Sequence, residues 1–302
     1  MALPFLTQAC APLTREVETV NEHGERATAS IPAERALTVY VDKRELVTLM
    51  TLGARPEWLV LGYLRNQRLL SSLDEVESVT VDWEVGSAAV KTRSGIDRIE
   101  ERTARRVVTT GCGQGSVFGG LMDEIDSLAL PQSHITQAQL YAIVNAIRLQ
   151  ESTYKSAGSV HGCALFRGEE MLLFIEDVGR HNAIDTIAGW LWLQQGADPA
   201  FGPSPVRRED LEDMAAIASD DTSPPHTFYT TGRLTSEMVI KSAQMGIAIV
   251  VSRSGITQMG HEIATRLGLC TIGRAVNRHF LCYSAPERLH LQPELARQRA
   301  VA

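Results

Sequence analysis

From Ile31 onward the apolar and polar positions fall into a regular pattern. Ala36–Val41 and Glu45–Thr51 read as two short strands joined by a turn at Asp42–Arg44. Pro56, with Glu57 in the first turn, marks the start of a helix. Trp58, Leu59, Tyr63 and Leu64 give that helix an apolar face, and it ends near Asn66. Val76–Val85 alternates as a strand with Val79, Val81 and Trp83 on one side; Ala88–Thr92 pairs with it, and Arg105–Thr110 reads as another strand. These elements predict a small α+β domain over residues 31–107, preceded by a loosely ordered tail over residues 1–30.

The second half alternates strands with helices. Thr136 followed by Gln139 is a capping-box signature, and Leu140, Ile143, Val144 and Ile147 recur behind it at helical spacing. Val160–Phe166 and Met171–Glu176 predict a hairpin around Arg167–Glu170. His181–Gln195 predicts an amphipathic helix closed by Gly196, and Ala197–Pro225 a polar insertion. Strand Thr227–Thr231, helix Thr235–Met245, strand Ile247–Ser252, helix Thr257–Leu267 and strands Cys270–Gly273 and Arg278–Ser284 complete the order. Strand and helix alternation of this kind predicts an α/β layered domain with a partly parallel sheet, over residues 133–290. A connector over residues 108–132 precedes it and a tail over residues 291–302 follows.

Composition narrows the function classes. Hydrophobic residues make up 44% of the 302 positions and charged residues 22%, which fits a folded globular chain. The apolar runs, Ile247–Val251 among them, are too short to span a bilayer as a helix. A formal net charge of −7 argues against a protein that coats nucleic acid or anionic membrane. Only four of the 29 basic residues are lysines; arginine suits phosphate recognition, and arginine-favouring codons of a GC-rich genome are the blander reading, expected to cover most of the skew. Five cysteines in a chain this large predict a reducing, cytoplasmic setting rather than a disulfide framework. Met1–Arg15 has neither a basic start nor a long apolar stretch, so no secretory signal is expected. No cysteine or histidine spacing predicts a structural zinc site.

Candidate chemistry concentrates in a few segments. Thr109–Gly120 carries five glycines and one thiol, Cys112. A thiolate in a mobile, accessible loop is the setting of a reactive cysteine; a cysteine that merely falls in a loop fits the same letters. Glu176–Asp185 (EDVGRHNAID) sets Arg180 and His181 at a helix N-terminus, where backbone N–H groups favour an anion. A charged turn with Asp177 as cap is the other reading. Thr230–Glu237 repeats the arrangement, with Arg233 and Ser236 as phosphate contacts, or as an ordinary N-cap with a surface Glu237–Lys241 pair. His161 lies in a β run, as a core histidine or as an assisting group. Arg274, Asn277, Arg278 and His279 form a late basic turn that suits a nucleotide phosphate or simply a solvated connection.

Taken together these segments resemble the FdhD family of formate dehydrogenase accessory sulfurtransferases. The resemblance rests on Glu176–Asp185, supported by Thr109–Gly115, Gly158–Leu165 (GSVHGCAL), Thr231–Val239 (TGRLTSEMV), Gly246–Gly255 and Leu61–Leu64. It implies a cytidine-deaminase-like larger domain without zinc and a cytoplasmic homodimer. It also implies a persulfide carrier that takes sulfur from a cysteine desulfurase and passes it to the molybdenum bis-guanine-dinucleotide cofactor destined for formate dehydrogenase. The family's persulfide cysteine falls on Cys112, and its guanine dinucleotide site on Arg274, Ala275, Val276, Asn277, Arg278 and His279. Arg180, His181, Arg233 and Ser236 are the further cofactor contacts expected, with His161 assisting. Two departures stand out. The family loop reads C-G-x-C, but Gly115 replaces the second cysteine, and Arg274-Ala275-Val276 stands where an aromatic-Ala-Arg pattern is usual. A cofactor-delivering chaperone without sulfur chemistry is the alternative; a deaminase-like hydrolase lacks the necessary metal ligands.

Overall fold

The computed structural model describes residues 3–97, 99, 127–198, 201, 206–207 and 225–297. The expected strand Arg105–Thr110, Cys112 and its glycine-rich loop, and most of the insertion 197–225 lie outside the described residues. The strands are β1 (Phe5–Leu6), β2 (Thr14–Val20), β3 (Arg26–Pro32), β4 (Arg35–Val41), β5 (Arg44–Thr51), β6 (Val76–Asp82), β7 (Ser87–Thr92), β8 (Leu128–Ala129), β9 (Ile135–Thr136), β10 (His161–Arg167), β11 (Glu170–Asp177), β12 (Val206–Arg207), β13 (His226–Thr230), β14 (Ile249–Ser252), β15 (Cys270–Val276), β16 (His279–Ser284) and β17 (Leu289–His290). The helices are α1 (Pro56–Asn66), α2 (Gln137–Leu149), α3 (Thr153–Ala157), α4 (Arg180–Ala197), α5 (Ser236–Gln244), α6 (Gln258–Leu267) and α7 (Pro293–Arg297).

Two compact units interleave along the chain, where the sequence reading divided it into consecutive segments. The first comprises Met1–Phe118, Glu151–Gly162 and Ile175–Phe201; the second comprises Gly119–Gln150, Cys163–Phe174 and Gly202–Ala302. The sheet of the first unit runs β1-β6-β7-β4-β5. Asp42 and Lys43, at φ 47° and 72°, join β4 to β5 as a two-residue turn with both central residues left-handed, which matches the twist of a hairpin. Leu37, Val39, Leu49, Val79 and Val90 turn inward from the strands and meet Leu61 and Leu64 of α1 and Trp192 and Leu193 of α4.

The residues expected to form a loose tail instead carry strands. β1 joins the sheet parallel to β6, and β2 and β3 pair as a separate hairpin from Thr14↔Pro32 to Val20↔Arg26. The Asn21 side chain closes its turn by accepting from His23 and Glu25 N–H at 3.0 and 2.9 Å. The helix α4 also differs from expectation. It runs through Gly196 and is buried on almost every face, so no polar stripe marks it.

The reason is its contact with α1. A Cβ on Gly189 would fall on the Trp58 carbonyl oxygen and 2.9 Å from Gly62 N; a Cβ on Gly62 would fall on the Asp185 carbonyl oxygen and 2.7 Å from Gly189 N. The two helices therefore meet backbone to backbone.

The second unit is organised on a six-stranded mixed sheet in the order β11-β10-β13-β14-β15-β16. β13, β14 and β15 are parallel and are linked through α5 and α6; β10 and β16 flank them antiparallel. Ala164, Phe166, Tyr229, Ile249, Val251 and Ile272 share one face and pack with Leu140, Ile143 and Val144 of α2. Thr136 and Gln139 cap α2 reciprocally, as the spacing predicts. Buried Arg288 ties the chain after β16 into this unit by donating to the carbonyls of Gly268 (2.8 Å), Pro131 (2.8 Å) and Ser133 (3.1 Å). Arg274, Ala275 and Val276 lie in β15 rather than in a turn; only Asn277 and Arg278 turn the chain.

Gly189→Ala forces a methyl group into a backbone contact that no rotamer can relieve. The expected cost is about 3 kcal/mol, read as a lower denaturant midpoint. Gly255→Ala, where a Cβ meets nothing within 4 Å, should leave the midpoint almost unchanged.

Candidate functional site

In the first unit the segment Glu176–Asp185 acts as a brace. The Glu176 carboxylate accepts from the N–H groups of Thr153 (2.5 Å) and Tyr154 (3.0 Å) at the start of α3. Asp177 Oδ2 accepts from Thr51 Oγ1 (2.5 Å) and Leu52 N (3.2 Å), at the end of β5. Its Oδ1 accepts from Gly179 N (3.1 Å) and Asn182 Nδ2 (2.9 Å). Asn182 Nδ2 also donates to the Met50 carbonyl at 2.5 Å, and Asn66 Nδ2 donates to Asp185 Oδ1 at 2.6 Å.

The N-cap of α4 is Gly179, so Asp177 reaches past the cap and holds β5 and α4 together. Arg180 and His181 open α4 as expected, but they are only 5% and 3% exposed. Burial makes them part of the interior rather than a surface offered to a dissolved anion. His161, the first residue of β10, falls in this unit and is half-buried.

The other predicted contacts lie in the second unit, around the carboxyl ends of β13, β14 and β15. Strand ends of a parallel sheet leave loops and unused N–H groups facing the same way, which is where such sheets bind ligands. Here the loops are stitched together. Arg253 N donates to the Thr230 carbonyl (3.0 Å), Leu234 N to the Gly255 carbonyl (2.9 Å) and Arg274 N to the Ser254 carbonyl (2.7 Å). Buried Ser252 donates to the Gly232 carbonyl (2.7 Å) and accepts from Ser254 N (2.9 Å). Buried Thr230 accepts from Gly232 N (3.0 Å) and from the Cys163 thiol (3.3 Å).

This scaffold presents Arg233, Arg253 and Arg274 from three neighbouring strand ends. All three are exposed, and among the described residues none of their guanidinium groups has a hydrogen-bond or ion-pair partner. Gly273 permits the close approach, because a Cβ there would lie 2.9 Å from the Ser254 carbonyl oxygen and 2.7 Å from the Tyr283 ring. Arg274 itself holds φ 52°, a left-handed conformation that costs a non-glycine residue about 1 kcal/mol.

The remaining predicted residues divide. Ser236 is half-buried at the first turn of α5. The Glu237–Lys241 pair, expected at the surface, is buried at 3.4 Å because α5 is enclosed along its length. Arg278 donates to the Leu295 carbonyl at 2.9 Å and sits 5.9 Å from the centre of the Tyr141 ring, so its charge holds the chain that follows β17. Ala275 is buried in the core, while Val276, Asn277 and His279 are exposed.

Arg253 was not among the residues singled out. Its signal is Ser252-Arg253-Ser254-Gly255 at the end of an apolar strand, the same combination of hydroxyl, arginine and glycine that marks Thr230–Arg233.

Burial raises the Asp177 pKa above the usual carboxylate value, outweighing the four hydrogen bonds that favour its charge. Asp177→Asn places an amide NH2, whose nitrogen cannot accept, where four donors converge, an expected loss of about 2 kcal/mol. The wild-type carboxyl alone bears the cost of ionising in the interior. Its advantage over the amide variant therefore shrinks as pH rises through the raised pKa, in denaturant midpoints measured from about pH 4 to about pH 7.

Comparison with known proteins bears on this arrangement over nearly the whole chain. A model of the FdhD/NarQ family matches residues 32–205 and 211–290. A sulfur carrier protein FdhD from Bacillus licheniformis is 29% identical over 273 residues, covering 90% of this chain and 92% of the relative. Its counterpart in Bacillus subtilis is 28% identical over 257 residues, covering 85% and 88%. The crystal structure of a putative formate dehydrogenase accessory protein from Desulfotalea psychrophila superposes with a TM-score of 0.67 at 21% identity, over 92% of this chain and all of that one. With its signature segment and most of both units inside the match, the chain belongs to the FdhD/NarQ family.

Proposed function

We propose that this protein is a sulfur carrier for formate dehydrogenase maturation. Cys112 takes sulfur from a cysteine desulfurase as a persulfide and passes it to the molybdenum bis-guanine-dinucleotide cofactor, which the chain holds as substrate. The observation that carries the reading is the set of three exposed arginines at the ends of β13, β14 and β15, unpartnered among the described residues. A dinucleotide brings diphosphates, and guanidinium forks meet such oxygens with paired, charge-assisted hydrogen bonds. Arg233, Arg253 and Arg274 are the phosphate contacts in this proposal, with Ser236 beside them. Arg180 and His181 act from the interior by holding α4. The sheet of the second unit corresponds to a cytidine-deaminase-like layer in this reading, and the protein works as a cytoplasmic homodimer.

Sulfur enters by exchange. The Cys112 thiolate attacks the outer sulfur of the donor persulfide; the new S–S bond forms on Cys112 and the donor leaves as a thiolate. One thiol suffices for that step, so Gly115 in place of the second loop cysteine leaves it intact. Gly115 does remove the nearest thiol that could discharge the persulfide, and this favours the second reading, a chaperone that delivers the cofactor without sulfur chemistry.

Peptide mass spectrometry after incubation with a cysteine desulfurase and cysteine separates the two. A reducible gain of one sulfur on the Cys112 peptide, absent from Cys112→Ala, is the expected result; no gain in the wild type supports the chaperone. Guanosine diphosphate serves as the binding probe. Arg274→Ala and Arg253→Ala should each weaken it about tenfold and flatten its salt dependence, whereas Arg278→Ala should change it little. Unchanged binding in both of the first two variants places the dinucleotide elsewhere.

A further inference from the structure

Two cysteines outside this proposed chemistry lie side by side in the second unit. Cys270 opens β15 and Cys282 lies on β16, and their sulfurs are 4.0 Å apart. The strand register explains why they meet. Thr271 faces Ser284 and Ile272 faces Cys282, so Tyr283 is the extra residue of a β-bulge. The added twist brings the Cys282 thiol toward Cys270, two positions before its own register partner.

The two thiols differ in setting. Cys270 is fully buried in the core beneath α2, and Cys282 is half-buried and open to solvent at the flank of the sheet. The contact between them lowers the Cys282 pKa and raises that of Cys270, which burial raises further. Cys163 differs from both: it is buried within the sheet and gives its S–H to Thr230.

We propose that Cys270 and Cys282 are a redox-active dithiol, which closes to an intrachain disulfide by exchange with a small-molecule disulfide and reopens with a thiol reductant. The Cys282 thiolate attacks one sulfur of the small disulfide; a mixed disulfide forms and the first small thiolate leaves. Cys270 then gives up its proton, and its sulfur attacks the Cys282 sulfur. The intrachain bond forms and the second small thiolate leaves. Two protein thiols are oxidised and one small disulfide is reduced, so no other oxidant is needed.

A disulfide needs its sulfurs at about 2.05 Å, and a shift of roughly 2 Å lies within the reach of side-chain rotation at half-buried Cys282. The bond would close the hairpin that carries Arg274 and the Asn277–Arg278 turn. The dithiol thereby couples redox state to the strand end where the arginines sit. The proposal stands apart from the sulfur-carrier reading, since neither thiol is Cys112.

The test is peptide mapping of the full-length protein after incubation with oxidised glutathione, digested without reduction. The wild type should lose two free thiols and yield a cross-linked peptide joining Cys270 to Cys282, reversed by dithiothreitol. Cys282→Ser should abolish the cross-link, and Cys270→Ala should trap one glutathione on Cys282. If the core change at Cys270 prevents folding, the wild-type map and Cys282→Ser decide alone. Stable glutathione on Cys282 beside a free Cys270 thiol in the wild type, or no reaction at Cys282, overturns the proposal. So does a bridge from Cys282 to a different cysteine.

Discussion

The first unit depends on two helices approaching until their backbones touch. Gly62 and Gly189 leave no side chain between α1 and α4, and each glycine faces the other helix's peptide groups. That closeness puts Asn66 within reach of Asp185, and it accompanies the bonds that fix Asp177 and Asn182 to the end of β5. A helix buried on nearly all faces must satisfy its polar side chains inside the protein. The Asp177, Asn182 and Asp185 network does so with donors from Thr51 and Asn66 and an acceptor, the Met50 carbonyl, supplied by β5 and α1. The most recognisable stretch of the sequence is, in large part, the material of this junction.

Charge is used in opposite ways in the two units. In the first, the carboxyls of Asp177 and Asp185 are enclosed and met by donors, so they are spent on internal order. In the second, three guanidinium groups stand at strand ends whose backbones are pinned by Thr230 and Ser252. The hydroxyls that could have met a ligand are committed to the loops, which fixes where the arginines emerge. A rigid frame carrying cations that have no hydrogen-bond or ion-pair partner among the described residues suits an anionic partner, because little ordering remains to be done on binding.

Local signals carried much of this into the sequence. Pro56 marks the start of α1, Thr136 and Gln139 cap α2, and Gly268 ends α6 in a left-handed conformation, all readable from a few adjacent letters. What escaped was long-range. β1 is two residues long and exists as a strand only by pairing with β6. The brace joins Asp177 to Thr51, 126 positions away, so the segment reads equally well as an anion site until both ends are seen. Periodicity could not flag α4 as interior, because a helix covered on every side has no stripe. Arg233 and Arg274 are legible from their neighbours; Arg253 carries the same local pattern, inside the segment Gly246–Gly255 that supports the resemblance, but its segment reads first as an apolar strand.

Arg274 stands where the backbone would rather have glycine or asparagine. A screen that rewards heat resistance alone should therefore favour replacing it, since the unstrained residue folds more easily. Under the proposed dinucleotide contact, a screen that rewards ligand retention keeps arginine and accepts the strain.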